Sequence, residues 1–138
     1  MGKSVKDAMT SDVKTASPSQ SLTDAARLMK QEDVGVVPVV DGARLVGVVT
    51  DRDIVIRAVA DGSDPHTVQV GEIASRDVVT VRPDDDLDDA LRLMAQHQVR
   101  RLPVVEDGHL IGVVATADVA LEAKEKDVGH VVEEISKP

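Results

Sequence analysis

The chain reads as an α+β protein: two β-α-β-β-α repeats packed sheet to sheet with pseudo-twofold symmetry. Three observations predict this. Sliding the sequence by 65 positions aligns Val5–Asp53 with Val70–Asp118 without a gap. The apolar residues are aliphatic and rich in Val, with 0% aromatics, a composition that suits pleated strands. Proline and glycine punctuate both copies at matching places: Pro18 with Pro83, Pro38 with Pro103, Gly47 with Gly112.

The register holds through loops as well as elements, so the repeat is a property of the whole unit and not of two similar helices. Each copy opens on a short strand, Val13–Ala16 or Val78–Val81, stopped by its proline. A helix follows, N-capped by Ser21 or Asp86 with an acidic residue three positions later. Its apolar face recurs at helical spacing, as Leu22, Ala25, Ala26, Leu28, Met29 and as Leu87, Ala90, Leu91, Leu93, Met94. Two Val-rich strands come next, Val34–Val40 with Leu45–Val49 and Val99–Val105 with Leu110–Val114. The turns Asp41–Arg44 and Glu106–His109 join them. A second helix starts near Thr50 and near Thr116. The first of these runs to about Ala60 and ends in Asp61-Gly62-Ser63-Asp64-Pro65, a linker by composition.

Repeat 1 therefore spans 1–62, and repeat 2 spans 63–138 with a C-terminal helix. A unit of about 50 residues with three short strands cannot bury both faces of a sheet, whereas two units packed together can. The halves are expected to form one module.

Composition excludes several function classes. A formal net charge of −9 opposes sequence-independent binding to nucleic acid, which rests on clustered Lys and Arg. Without aromatics there is no platform on which single-stranded bases stack. No Cys is present, which excludes disulfides and thiolate metal sites and suits a reducing compartment. No apolar run reaches the roughly 20 residues of a membrane span, and the start lacks a signal-peptide core, so a cytoplasmic protein is expected. The P-loop, G-x-G-x-x-G and G-x-S-x-G patterns are all missing. No catalytic residue and no obligatory cofactor are assigned. His66, His97, His109 and His130 are scattered, and no metal site is expected. Asp84-Asp85-Asp86 reads as negative charge at a helix start.

The β-α-β-β-α order, the segments Val36-Val37-Pro38-Val39-Val40 and Arg101-Leu102-Pro103-Val104-Val105, and the run Gly47-Val48-Val49-Thr50-Asp51-Arg52-Asp53 resemble paired cystathionine-β-synthase-type (CBS) domains, the Bateman module. The resemblance covers roughly residues 4–125. With no other domain attached, and with Thr50–Ile56 in place, the chain is similar to stand-alone bacterial CBS-pair proteins of the hypoxic response kind.

That resemblance implies a non-catalytic regulatory module that binds an adenine nucleotide (AMP, ADP or ATP) between its copies. The strand-to-helix step Gly47–Asp53 suits this physically, because a helix start offers free N–H groups and the positive end of its dipole. Gly47 is expected to leave room for a ligand beside the strand. Thr50 would donate to a phosphate and Asp53 would accept from ribose hydroxyls, as the matching family residues do. The adenine would lie against Thr15, Ala16, Val36, Val37 and Pro38. The repeat carries the set to Thr80, Leu102, Pro103, Thr116 and Asp118, while Arg52, Arg100 and Arg101 would meet phosphates.

Thr50-x-x-Asp53 is equally a capping box that needs no ligand. In the second copy, Ala115-Thr116-Ala117-Asp118 breaks the box yet keeps the acid, so capping alone would leave Asp118 without its partner there. The alternative function is a ligand-free interaction or dimerisation module. A homodimer is expected through the apolar helix residues Ile54, Val55, Ala58 and Val59 and Val119, Ala120 and Leu121, together with a regulated partner protein of unspecified identity.

Overall fold

The computed structural model describes residues 3–126, with side chains as far as Leu121; the end of repeat 2, including His130, lies outside the described residues. In chain order the elements are α1 (Val5–Ala8), α2 (Leu22–Glu32), β1 (Val36–Asp41), β2 (Arg44–Thr50), α3 (Asp51–Ile54), α4 (Val70–Ile73), α5 (Leu87–His97), β3 (Arg101–Glu106), β4 (His109–Ala115) and α6 (Thr116–Lys126). The α+β class read from the sequence is the class observed. None of the described helices is long and apolar enough to cross a membrane.

Local chemistry accounts for most boundaries. Ser21 Oγ accepts the Asp24 N–H, and Asp86 accepts the Asp88 N–H, which starts α2 and α5 where the caps predict. Both helices end on a residue in the left-handed conformation, Asp33 (φ 54°) and Gln98 (φ 55°), neither of which is glycine. The next N–H then folds back, Val34 onto the Met29 carbonyl and Val99 onto that of Met94. β1 and β2 pair antiparallel from Val36↔Thr50 to Asp41↔Arg44, with an irregularity between Val39 and Val40. β3 and β4 are likewise hydrogen-bonded neighbours.

The opening strands require correction. Val13–Ala16 and Val78–Val81 are reduced to single parallel bridges, Ala16↔Val39 and Val81↔Val104. Ala16 donates to the Pro38 carbonyl and accepts from Val40, and Val81 does the same with Pro103 and Val105. The chain then turns at once into the Pro18 or Pro83 segment, so no ladder develops. Two one-turn helices, α1 and α4, stand where the sequence reading placed no element. Their signal was present in the text: the Asp7 carboxylate accepts from the Ser4 N–H at 3.0 Å, and that of Glu72 from the Gln69 N–H at 2.6 Å. The Ser4 N–H and then its hydroxyl hold the exposed Asp7 carboxyl below its ordinary value.

The second helix of repeat 1 is also not uniform. α3 gives one α turn, and Val55–Val59 continues as a π-helix with the Ala60 N–H on the Val55 carbonyl at 2.8 Å.

Two compact units emerge, and they cut across the order of the repeats. One unit comprises 12–78 with 107–110; the other comprises 1–11, 79–106 and 111–138. In the first, Val70 and Ile73 of α4 join a core of Ala16, Leu22, Met29, Val37, Val39 and Val49. In the second, Val5 of α1 joins Val81, Leu87, Met94, Leu102, Val104 and Val114. Each copy's leading segment thus completes the core built by its mate.

Glycine marks where each leader docks. Val48 and Ser75 exchange backbone hydrogen bonds at 2.9 and 2.8 Å, and Thr10 and Val113 do so at 2.8 and 3.0 Å. A Cβ on Gly47 would lie 2.6 Å from the Ser75 carbonyl oxygen, and one on Gly112 would lie 2.8 Å from that of Thr10. The expectation that Gly47 leaves room for a ligand is therefore corrected. That space is filled by backbone.

Candidate functional site

In the unit formed by 12–78, β2 ends at Thr50, which stays extended (φ −114°, ψ 160°) and caps α3. Thr50 Oγ1 accepts the Asp53 N–H at 3.0 Å, while Asp53 Oδ2 accepts the Thr50 N–H at 3.1 Å. Both side chains are half-buried. The Asp51 N–H donates to the Gly35 carbonyl at 3.0 Å, which ties the start of α3 to the chain just before β1. Cross-strand pairing sets Val36 opposite Thr50, and the bridge at Ala16 lays that residue beside Pro38 and Val40.

Thr15, Ala16, Val36, Val37, Pro38, Thr50 and Asp53 therefore belong to one neighbourhood, although not all of them offer side chains. Val37 is 1% exposed and points into the core, and Ala16 and Pro38 are also buried. Thr15 and Val36 are half-buried. Arg52 is exposed; its N–H meets Asp51 Oδ1 at 2.8 Å, and its guanidinium has no polar partner among the described residues.

The other unit repeats the frame. The Thr116 N–H donates to the Arg100 carbonyl at 2.9 Å, matching Asp51 and Gly35. Leu102 and Pro103 are buried, Thr116 and Asp118 are half-buried, and Thr80, Arg100 and Arg101 are exposed. The guanidinium groups of Arg100 and Arg101 have no polar partner among the described residues. Thr116 has moved from the cap into the first helical position.

One inference from the sequence fails here. Asp118 does not lose its partner, because Asp118 Oδ2 accepts the Ala115 N–H at 3.2 Å. That half of a capping box uses backbone, which any residue at the cap supplies. Retention of the acid in copy two is therefore explained without a ligand.

The acidic run Asp84–Asp86 closes turns and helix starts: Asp85 accepts from the Arg82 N–H and Asp86 from that of Asp88, each at 2.8 Å. His66 meets Asp64 at 3.2 Å, and the His66 backbone N–H followed by its ring holds the Asp64 carboxyl low. No group of three His, Cys, Asp or Glu among the described residues is placed to hold a metal ion.

Sequence reasoning missed Arg57. Its Nε lies 4.0 Å from Asp53 Oδ1, and its Nη1 donates to the Ile73 carbonyl at 3.1 Å. The spacing Asp53-x-x-x-Arg57 was the available signal.

Comparison with known proteins matches this arrangement. The CBS domain family matches residues 5–59 and again 70–125. The CBS domain-containing protein YhcV of Bacillus subtilis is 50% identical over 118 residues, covering 86% of this chain and 84% of that protein. Hypoxic response protein 1 of Mycobacterium tuberculosis is 37% identical over 134 residues, covering 96% and 94%. A crystal structure of Hypoxic Response Protein I, solved with two coordinated zinc ions, superposes with a TM-score of 0.79 at 38% identity, over 86% of this chain and 98% of that one. The CBS domain pair of protein MJ0100, solved with 5′-methylthioadenosine and S-adenosyl-L-methionine, gives a TM-score of 0.77 at 27% identity, over 91% and 99%. A twice-matched domain carried on a gapless internal repeat has one reading: this chain belongs to the CBS domain family, as a pair of CBS domains.

Proposed function

We propose that this CBS pair is a non-catalytic regulatory module that binds an adenine nucleotide (AMP, ADP or ATP) at the Thr50–Asp53 step and passes its occupancy to a partner protein. The observation that carries the reading is the Asp53 carboxylate, whose side chain is 18% exposed at the head of α3. Its one short hydrogen bond comes from the Thr50 N–H at 3.1 Å. A carboxylate has about four acceptor sites, so capacity remains for two ribose hydroxyls. The ligands of MJ0100 share an adenosine group with AMP, which supports the ribose and adenine part of the reading. The phosphate part rests on the exposed guanidinium groups of Arg52 and, in the second copy, of Arg100 and Arg101.

A thermal-shift panel of AMP, ADP, ATP, NAD and S-adenosylmethionine tests the reading. A ligand held by the native state alone stabilises it in proportion to the logarithm of its excess over Kd. At least one adenosine compound should raise the melting temperature and be recovered chemically unchanged. No shift with any of them at millimolar concentration would remove the proposal, and steady turnover would replace it with an enzyme.

One observation favours a second reading, a dimerisation module without a ligand. The capping box satisfies itself, and the π-helical segment exposes Val55 (54%), Ile56 (53%) and Val59 (56%). The predicted apolar face is narrower than the sequence suggested, because Ile54, Ala58 and Val119 lie in the cores while Leu121 stays outside. Three large aliphatic groups together on one short segment favour an interface. On either reading the protein should be a homodimer in solution, and light scattering should give twice 14.7 kDa. Ile56→Asp should return it to monomer. A monomer mass for the wild type at tens of micromolar rejects the interface.

A further inference from the structure

We propose that Arg57 is a positioning residue that couples the state of Asp53 to the C-terminal end of α4, so that occupancy of the site is felt at residues 70–75; the role rests on the Asp53 reading given above. Arg57 bridges two elements with two different faces of one guanidinium. Its Nε faces Asp53 Oδ1 at 4.0 Å, and its Nη1 donates to the Ile73 carbonyl at 3.1 Å. That carbonyl lies at the end of a one-turn helix, where carbonyl groups have no partner inside the helix. Ser75, two residues on, is the residue that closes against Gly47 through its backbone pair with Val48. The chain of contacts therefore runs from the site acid, through Arg57, to the segment that seals β2.

The π-helical register adds to this. Arg57 sits at the centre of Val55–Val59, the stretch where the helix takes its wider turn. Such turns recur at functional positions. The sequence supplies a contrast within the molecule: the position matching Arg57 in the second copy is Glu122, so only one copy has this cation.

The plain alternative is an exposed ion pair one helical turn apart. With 56% of its side chain exposed, Arg57 in that role would contribute little to stability. The two roles differ in what they transmit. Arg57→Gln removes the charge and the fork; Arg57→Lys keeps a charge, but its single ammonium cannot serve both partners in the geometry of the guanidinium.

Amide hydrogen exchange with and without AMP, on wild type, Arg57→Gln and Arg57→Lys, decides between them. In the wild type, AMP should slow exchange across residues 70–75. Arg57→Gln should weaken AMP binding by only about two- to fivefold, the size expected for an exposed ion pair, and should lose the slowing at 70–75 at saturating AMP. Arg57→Lys should recover affinity but not the slowing. Persistence of the slowing in Arg57→Gln overturns the proposal. If the wild type binds no AMP, the nucleotide reading fails by itself, and the ligand-free proteins decide the coupling. Asp53→Asn should then speed exchange at 70–75 in the wild type but not in Arg57→Gln. Equal effects in both backgrounds, or none in either, would sink it.

Discussion

Asp53→Ala is expected to weaken adenine-nucleotide binding by roughly ten- to a hundredfold, with the fold retained. The size follows from hydrogen bonds to a charged acceptor, each worth about 1.5–3 kcal/mol. The variant also loses one half of the cap, because the Thr50 N–H no longer has the Asp53 carboxylate at 3.1 Å. That should lower stability by about 1 kcal/mol, too little to unfold the unit. Asp118→Ala should cost less affinity, since Ala115 stands where Thr50 supplies a hydroxyl and Asp118 keeps the Ala115 N–H at 3.2 Å. Calorimetry on the wild type and the two variants reads both effects. Equal affinities for wild type and Asp53→Ala would return Thr50 and Asp53 to capping and nothing more.

Gly47→Ala should be the most damaging small substitution in the unit formed by 12–78. Gly47 does not adopt a positive φ, so backbone strain is not the reason. The added Cβ would lie 2.6 Å from the Ser75 carbonyl oxygen, and backbone cannot swing aside as a side-chain tip can. Relief requires Ser75 to move, which breaks one or both hydrogen bonds with Val48. Overpacking and lost pairing together suggest about 2–4 kcal/mol, or a fall in Tm on the order of 10 °C. Gly42→Ala is the control: φ is +65° with nothing within 4 Å, so only the left-handed penalty of about 1–2 kcal/mol applies. Gly112→Ala should be intermediate, because its Cβ would meet the Thr10 carbonyl oxygen at 2.8 Å instead of 2.6 Å. The Met9 Sδ at 2.9 Å belongs to a flexible side chain that can move aside. Thermal melts of the three variants test the order. A Gly47→Ala protein that melts with the wild type would mean that the leader does not close there in solution.

The elements that repeat with strong side-chain signals were legible before any coordinates. Ser21 and Asp86 mark the starts of α2 and α5, and the Val runs mark both hairpins. What escaped depends on backbone partners that no side chain announces. Ala16 and Val81 make one bridge where a strand was expected, because the following proline segment turns the chain. The left-handed ends at Asp33 and Gln98 lack the usual glycine. Gly47 was read as space for a ligand, whereas only its pairing with a segment 28 residues downstream reveals what fills it. The same holds for the site. Thr50 and Asp53 could be found by motif, but Arg57 gains its meaning from the Ile73 carbonyl, and Asp118 from a backbone N–H.

The exchange of leaders has a consequence for the order in which the protein can be made. Lys3 to Thr10 are synthesised long before the groups they bond to, which are Pro83, Asp85, Leu87 and Val113. The first unit also cannot close until Ser75 has been synthesised to meet Val48. Domains generally fold as they emerge, and contacts distant in sequence form late. Most of the chain must therefore be present before its beginning finds a place. A single copy made alone would have a glycine with no leader to cover it and a leader with no glycine to fill. Trading leaders with a second molecule, as in a domain-swapped pair, would satisfy both needs.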